Sequence, residues 1–362
     1  MAKLPSQLFS PITLRDLEVK HRLWVAPMCQ YQANDGMPQP WHRAHLGALA
    51  IGNPGLIIAE ATGVRADGRI TDRCTGIWND EQAAEWKEIV SFATSLGVPM
   101  ALQIAHAGRK GSTRSPHHGD GPLKPDEGAW ETIAPSALPY ADFPTPKALS
   151  VDEIAEVVED FAAAARRAVW AGFSAVEIHA AHGYLIHEFL SPLSNVREDQ
   201  YGGSLENRAR FLLEVVDAVR ATIPEGMPLF VRLSGTDWVE GGWNVDELTQ
   251  VAPWLEERGV DLLDISSAGL HPDQQIPVGP GYQLRFSRAV RQVVSIPVAT
   301  VGLIETAKQA ESAIVDDAAD VVLLGRPFLR MPTLPLHFAA ELGGHLEWPE
   351  AYGFVKLPGN IP

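Results

Sequence analysis

Eight short apolar runs recur along this chain, each separated from the next by a stretch of different character, mostly helical in period. That alternation constrains the fold more than any other feature. The runs are RLWVAP (22–27), GLIIAEA (55–61), PMALQIA (99–105), SAVEIH (174–179), PLFVRLS (228–234), DLLDISS (261–267), IPVATVG (296–302) and DVVLLG (320–325). Most are continuous, as expected of strands buried on both faces of a parallel sheet. Helical patterns occupy 80–96, 151–171, 204–222, 244–258, 285–295 and 304–316. Ser150 or Asp152 opens the second of these, Gly172 closes it, and Asn244 opens the fourth. The whole predicts an α/β protein, a single (β/α)8 TIM barrel spanning 1–362. An open doubly wound sheet is the alternative, weakened because no GxGxxG follows the first run.

One connection breaks the rhythm. Residues 106–150 are rich in Gly, Pro and His and follow the third run at the end where barrel active sites form. A lid or capping excursion over the site is expected. Composition narrows the partners. A formal charge of −16 opposes phosphate backbones and anionic membranes, so neither nucleic acid nor membrane is expected. Two cysteines, Cys29 and Cys74, form no CxxC and no disulfide framework. With no leader-like apolar core at the N-terminus, this fits a cytoplasmic protein.

The run ends carry the chemistry. No lysine sits at one, which argues against a Schiff-base aldolase, and no HxH follows the first run, which argues against a metal-dependent hydrolase. The seventh and eighth runs end at Gly302 and Gly325, with Arg326 next. In barrels those two loops commonly bind phosphate through backbone N–H groups. Glycine also ends strands for turn geometry alone. The fourth run ends in EIHAAHGYL (177–185), which places His179, His182 and Tyr184 at the expected mouth. The two histidines, with His187 as a third, are also open to a metal reading, although no carboxylate or cysteine is placed to complete a site.

HAAHGYLIHEFLSPLSNVREDQYGGSLENRARF (179–211) resembles the old yellow enzyme family of flavin-dependent ene-reductases. APMCQY (26–31), QIAHAGRK (103–110) and the late GR fit the same family, in order along essentially the whole chain. Cys29, Tyr31 and the GRK resemble its thermophilic-like branch, xenobiotic reductases among them. The resemblance implies bound FMN, NADPH or NADH as electron donor, and small-molecule activated alkenes as substrates. Pro27, Met28 and Cys29 would line the flavin ring, Ala61 would leave it room, and Gln103 would meet its pyrimidine side. Arg232 would face the N1/C2 carbonyl region, and Gly302, Gly325 and Arg326 would hold the phosphate. No metal is implied. His179 and His182 would donate hydrogen bonds to a substrate carbonyl, and Tyr184 would supply a proton to the α-carbon. Tyr31 would reach the substrate side.

Other readings stay open. His106, Arg109 and Lys110 could meet a nucleotide or belong to a solvated loop. Glu60 beside a flavin is unfavourable unless paired. Asp199 and Arg208 are placed to pair. Val301 stands where some relatives have a pocket-shaping tryptophan. The tail 345–362 has no helical period. In the branch it resembles, the C-terminal end enters a neighbouring subunit. That implies a homodimer or higher homo-oligomer, with Tyr352 or Phe354 walling the partner's substrate pocket. Metal-dependent barrel hydrolysis on the histidine cluster, and a non-catalytic flavin-binding barrel, are the competing functions.

Overall fold

The computed structural model describes residues 6–355. Its centre is a closed barrel of eight parallel strands in chain order. They are β1 (Leu23–Val25), β2 (Ile57–Gly63), β3 (Met100–Ala105) and β4 (Ala175–Ala180). They continue as β5 (Leu229–Ser234), β6 (Leu262–Ser266), β7 (Val298–Thr300) and β8 (Val321–Leu324). All eight apolar runs are therefore strands. The seventh is shorter than its run, so Gly302 lies in the loop beyond it.

The outer helices are α1 (Pro40–Ile51), α2 (Asp80–Ser95), α3 (Val151–Ala171), α4 (Leu205–Thr222), α5 (Val245–Glu257), α6 (Leu284–Arg291), α7 (Ala307–Val315) and α8 (Leu334–Leu342). Ser150 caps α3 by accepting from the Glu153 N–H, and Gly172 closes it at φ +90°. Asn244 caps α5 by accepting from the Asp246 and Glu247 N–H groups. The expected helices at 285–295 and 304–316 are shorter, and α1 was not anticipated. Pro40 stands in its first turn, and His42 Nδ1 accepts from the Gln39 N–H at 2.9 Å.

Side chains alternate in and out along each strand. The outward set, Leu102, Val176, Ile178, Val231 and Ile265 among others, packs beneath the helices in the larger core. The inward set forms layers. At the bottom, Trp24, Ala101, Ala175, Phe230 and Leu262 join Ile12, Leu14 and Val19 of a hairpin (Ile12–Leu14 with Leu17–Val19) that plugs that end. Two residues further along β3 to β6 the inward positions turn polar. Gln103, Glu177, Arg232 and Asp264 form that layer, all buried. One more step brings His179 on β4 and Ser266 on β6 to the mouth. An apolar plug, a charged floor and a polar rim are thus stacked along the barrel axis.

The 106–150 excursion is stitched down rather than free. Trp130 Nε1 donates to the Asp67 carbonyl at 3.0 Å, and the Val196 N–H donates to Ser136 Oγ at 3.0 Å. Arg197 donates to the Pro135 carbonyl at 2.8 Å. Among the described residues no helix is long and apolar enough to cross a membrane.

Candidate active site

The turn after β4 is held by backbone packing that only glycine permits. Gly183 sits at φ +71°, and a Cβ there would lie 2.2 Å from the Gly269 carbonyl oxygen. Gly269, at φ +91°, would in turn drive a Cβ to 2.4 Å from the His182 oxygen. The loops after β4 and β6 therefore meet backbone to backbone. Lys110 fastens the junction, with Nζ donating to the His182 carbonyl at 2.8 Å and to the Gly269 carbonyl at 2.6 Å. Burial pulls its ammonium down to about 8. Arg109 donates to the Leu138 carbonyl at 3.1 Å and the Leu270 carbonyl at 3.0 Å. His106 is buried and accepts from the Gly108 N–H at 3.1 Å. The GRK cluster is a set of internal staples, not a solvated loop.

On this platform His179 and His182 face each other. His179 Nδ1 accepts from the Ala181 N–H at 3.2 Å, which puts the neutral ring's proton on Nε2. That Nε2 lies 3.3 Å from His182 Nδ1, and His182 Nε2 lies 2.8 Å from Ser266 Oγ. Burial, then Arg232, hold both imidazoles far below their ordinary range, so both stay neutral. If Ser266 donates to His182 Nε2, the His182 proton sits on Nδ1. Two N–H groups then converge on one point, where an acceptor oxygen would satisfy both. Ser266 was not foreseen from the sequence.

Tyr184 stands edge-on to His179, ring centres 5.1 Å apart, with Lys110 Nζ 4.9 Å from its ring centre. Burial raises its hydroxyl well above the ordinary phenol range, so it keeps its proton. Tyr140, from the excursion, lies over Lys110 at 5.1 Å and is a second residue the sequence reading missed. His187 is withdrawn from the cluster. Its Nδ1 accepts from the Gly183 N–H at 2.9 Å and its Nε2 lies 2.9 Å from Asp237 Oδ1. The metal reading thereby loses its third ligand.

Beside the rim lies a cavity of about 290 Å³, lined by Pro27, Met28, Arg232, Ser266, Val301, Gly302, Gly325 and Arg326 among others. Six of the nine expected cofactor contacts share it. Gly302 has φ +126°, where a Cβ would come 2.6 Å from Gln283 Nε2; at Gly325 it would come 3.2 Å from Met28 Sδ. Side chains there would fill the space that a phosphate and ribityl chain need. The residues fit FMN. Cys29, Ala61 and Gln103 lie outside that lining. Cys29 is partly buried, and Gln103 Nε2 donates to Glu177 Oε1 at 2.7 Å.

The floor is crowded with acid. Arg232 Nε is 3.0 Å from Asp264 Oδ2, an ion-pair distance without a hydrogen bond's alignment. Burial first and Asp264 second push Glu177 up to about 8, so it holds a proton at neutral pH. Glu60 is paired: Oε2 accepts from the Gln30 N–H at 3.0 Å, and Oε1 is 3.2 Å from His42 Nε2. Tyr31 adopts φ +53° beside Cys29.

One expectation is corrected. Asp199 pairs with Arg197 at 2.6 Å, and Arg208 instead reaches Glu247 at 2.5 Å. Tyr352 and Phe354 touch nothing that buries them, being 42% and 83% exposed. The tail is tied by Asn53 Nδ2, which donates to the Glu347 carbonyl at 3.2 Å. Asn53 precedes β2, on the face opposite the mouth, so the tail leaves away from its own site. Residues 356–362 lie outside the described residues.

The profile of the NADH:flavin oxidoreductase / NADH oxidase family matches residues 7–343. The NADPH dehydrogenase of Geobacillus thermodenitrificans is 45% identical over 348 residues, covering 95% of this chain and 97% of its own. That of Bacillus cytotoxicus is 42% identical, with 98% of each chain covered. The solved structure of morphinone reductase superposes with a TM-score of 0.80 at 33% identity, covering 98% of this chain and 94% of the other. An old yellow enzyme homologue from Zymomonas mobilis gives 0.77 at 30% identity, with 98% of each covered.

Proposed function

The chain belongs to the NADH:flavin oxidoreductase / NADH oxidase family, that of the old yellow enzymes, and from that premise we propose that it reduces the C=C bond of α,β-unsaturated carbonyl compounds. It is an FMN-dependent oxidoreductase that draws electrons from NADH or NADPH. This displaces both the metal-dependent hydrolase and the non-catalytic barrel as readings.

The observation that carries the proposal is the pair of neutral imidazoles converging on one point beside a protonated tyrosine. Bound FMN supplies hydride acceptance from NAD(P)H and hydride donation to an electron-poor carbon. The chain does the rest. Pro27, Met28, Cys29, Ala61 and Gln103 border the ring, Arg232 offsets negative charge at its pyrimidine end, and Gly302, Gly325 and Arg326 take the phosphate. His179 and His182 donate to the substrate carbonyl oxygen, which draws charge from the conjugated β-carbon. Tyr184 gives a proton to the α-carbon, and Tyr31 borders the alkene. The excursion at 106–150 covers the substrate through Tyr140.

Enones, enals and maleimides are the substrate class. Anaerobic mixing of the reduced enzyme with 2-cyclohexenone should reoxidise it with one saturated ketone formed per flavin. Reoxidation by dioxygen but not by any such alkene would overturn the reading. Replacing His179 and His182 together by alanine should abolish the charge-transfer band with a phenol while FMN stays bound; loss of FMN instead would remove the donor role. The exposed tail is assigned to a neighbouring subunit of a homodimer or larger assembly, where Tyr352 or Phe354 walls the pocket. Deleting 350–362 should then weaken the dimer and raise KM for enones. An unchanged dimer with unchanged kinetics would exclude a shared pocket.

A further inference from the structure

A tryptophan at the mouth stands in a backbone conformation that bulky residues avoid. Trp238, in the loop after β5, has φ +59°. Its N–H donates to Thr236 Oγ1 at 3.2 Å, its Nε1 to Ser267 Oγ at 3.0 Å, and its carbonyl accepts from the Gln275 N–H at 3.1 Å. Strain of this kind persists where the surroundings over-determine it, and it gathers at ligand sites. The ring is only partly buried. Tyr282 lies beside it, ring centres 6.3 Å apart, and Phe286 meets it edge-on at 5.5 Å. Arg285, in the first turn of α6, sets its guanidinium carbon 4.9 Å from the ring centre of Trp238 and 4.7 Å from that of Phe286. Arg285 is exposed, and among the described residues no carboxylate pairs with it and no carbonyl accepts from it. The aromatic rings fix its position while its N–H edge is left open. Tyr282 also lines the cavity that fits FMN, as does Arg326. The cluster therefore reaches from the cofactor cavity to the surface.

We propose that Arg285, held on Trp238, binds the adenosine 2′-phosphate of the electron donor, so that the chain takes NADPH in preference to NADH. The assignment rests on reduction of the flavin by a nicotinamide donor and not on the alkene that follows. NADPH differs from NADH by one phosphate on the adenosine ribose. Telling them apart needs a cation whose donors are unspent and whose place is set before the ligand arrives. Arg285 meets both conditions. Its guanidinium can turn two parallel N–H groups to the phosphate oxygens, and the adenine would lie against the partly exposed rings of Trp238 and Tyr282. The formal charge of −16 repels a donor carrying several phosphates, which gives an unpaired cation at the mouth more weight in its capture.

The test is calorimetric titration of FMN-loaded enzyme with 2′,5′-ADP and with 5′-AMP, which lacks only the 2′-phosphate, and stopped-flow reduction of the flavin by NADPH and by NADH. Wild type is run beside Arg285→Ala, whose exposed position leaves the fold intact. Wild type should bind 2′,5′-ADP about ten-fold more tightly than 5′-AMP, the worth of a charge-assisted contact. Arg285→Ala should lose that difference. In stopped flow its Kd for NADPH should rise about ten-fold while that for NADH moves by less than about two-fold. Arg285→Lys keeps the charge without the planar fork and should fall between the two. Equal weakening of both donors by Arg285→Ala would overturn the proposal. So would a wild type that binds the two adenine nucleotides alike, a preference that survives the substitution, or inorganic phosphate matching 2′,5′-ADP in affinity. No alkene enters any of these measurements, so they succeed or fail independently of enone reduction.

Discussion

The rim and the floor of this barrel lie one inward residue apart along its strands, and they solve opposite problems. At the rim His179, His182 and Tyr184 are uncharged, and burial keeps them so. Their proposed work is to donate hydrogen bonds and one proton, which neutral groups do without the cost of burying charge. On the floor Arg232 is fixed among two carboxyl groups, one held protonated. In the proposed function Arg232 would offset the negative charge that a flavin gains on reduction, and the acids keep the interior near neutrality until then. Under the proposed function the lesson is a division of labour: the rim would act on the substrate, and the floor on the cofactor.

The sharpest way to break that division is Tyr184→Phe. The hydroxyl serves only the alkene, so flavin reduction by NADPH should be nearly unchanged. Oxidation by an enone should slow by roughly 10²–10⁴-fold, the range for a lost general acid. Stopped-flow measurement of each half-reaction checks this, and equal slowing of both would erase the distinction between rim and floor.

Lys110→Met probes the platform instead of the donors. Two partly buried carbonyls, of His182 and Gly269, lose their donor, at about 1 kcal/mol or more for each group left unsatisfied. The rim should loosen while the floor is untouched. Phenol binding should weaken by about ten-fold, equivalent to about 1.4 kcal/mol, with the flavin midpoint potential unmoved. A shift in potential would mean that Lys110 belongs with the floor electrostatically.

The two layers differ in how they can be read from sequence. The rim lay in one contiguous motif, EIHAAHGYL, so its members and their face of the barrel were legible together. The floor is scattered over four strands, and each of those strands reads as a nearly continuous apolar run. The signal was present as a period of two: polar residues at 177 and 179, 232 and 234, 264 and 266, each pair on the C-terminal half of its strand. Arg232 and Gln103 stood out as polar strand ends but took a role only through resemblance, while Glu177 and Ser266 were given none. Lys110 stayed ambiguous because its partners are backbone carbonyls, which carry no residue identity. Helix α1 escaped because its histidines and tryptophan blur the apolar period, and Pro40 is a weak start signal without a Ser, Thr, Asp or Asn before it.

The smallest effect expected is also the one that isolates the floor. Glu177 has its folded value raised from 4.5 to about 8, so the native state holds a proton that the unfolded chain releases earlier. Its contribution to stability is complete below pH 4.5 and is lost as pH rises through about 8. The buried histidines run the other way. His21 and His106 are lowered from 6.5 to about 4, so their contribution is complete above 6.5 and lost as pH falls through about 4. Wild-type stability to urea should therefore peak between these limbs. Glu177→Gln keeps an oxygen to accept from Gln103 and adds no charge, so it should leave stability below pH 4.5 as it is and steepen the rise between 4.5 and 6.5, where the falling Glu177 contribution no longer opposes the histidines. The decline toward pH 8 should become shallower, without vanishing, because Glu188 is raised to about 8 as well. Urea midpoints measured at half-unit steps from pH 4 to 9 on the FMN-loaded proteins decide it. An alkaline limb identical in both proteins would show that Glu177 is already ionised on the floor, and that Arg232 carries less free charge toward the flavin than its pairing with Asp264 alone would leave.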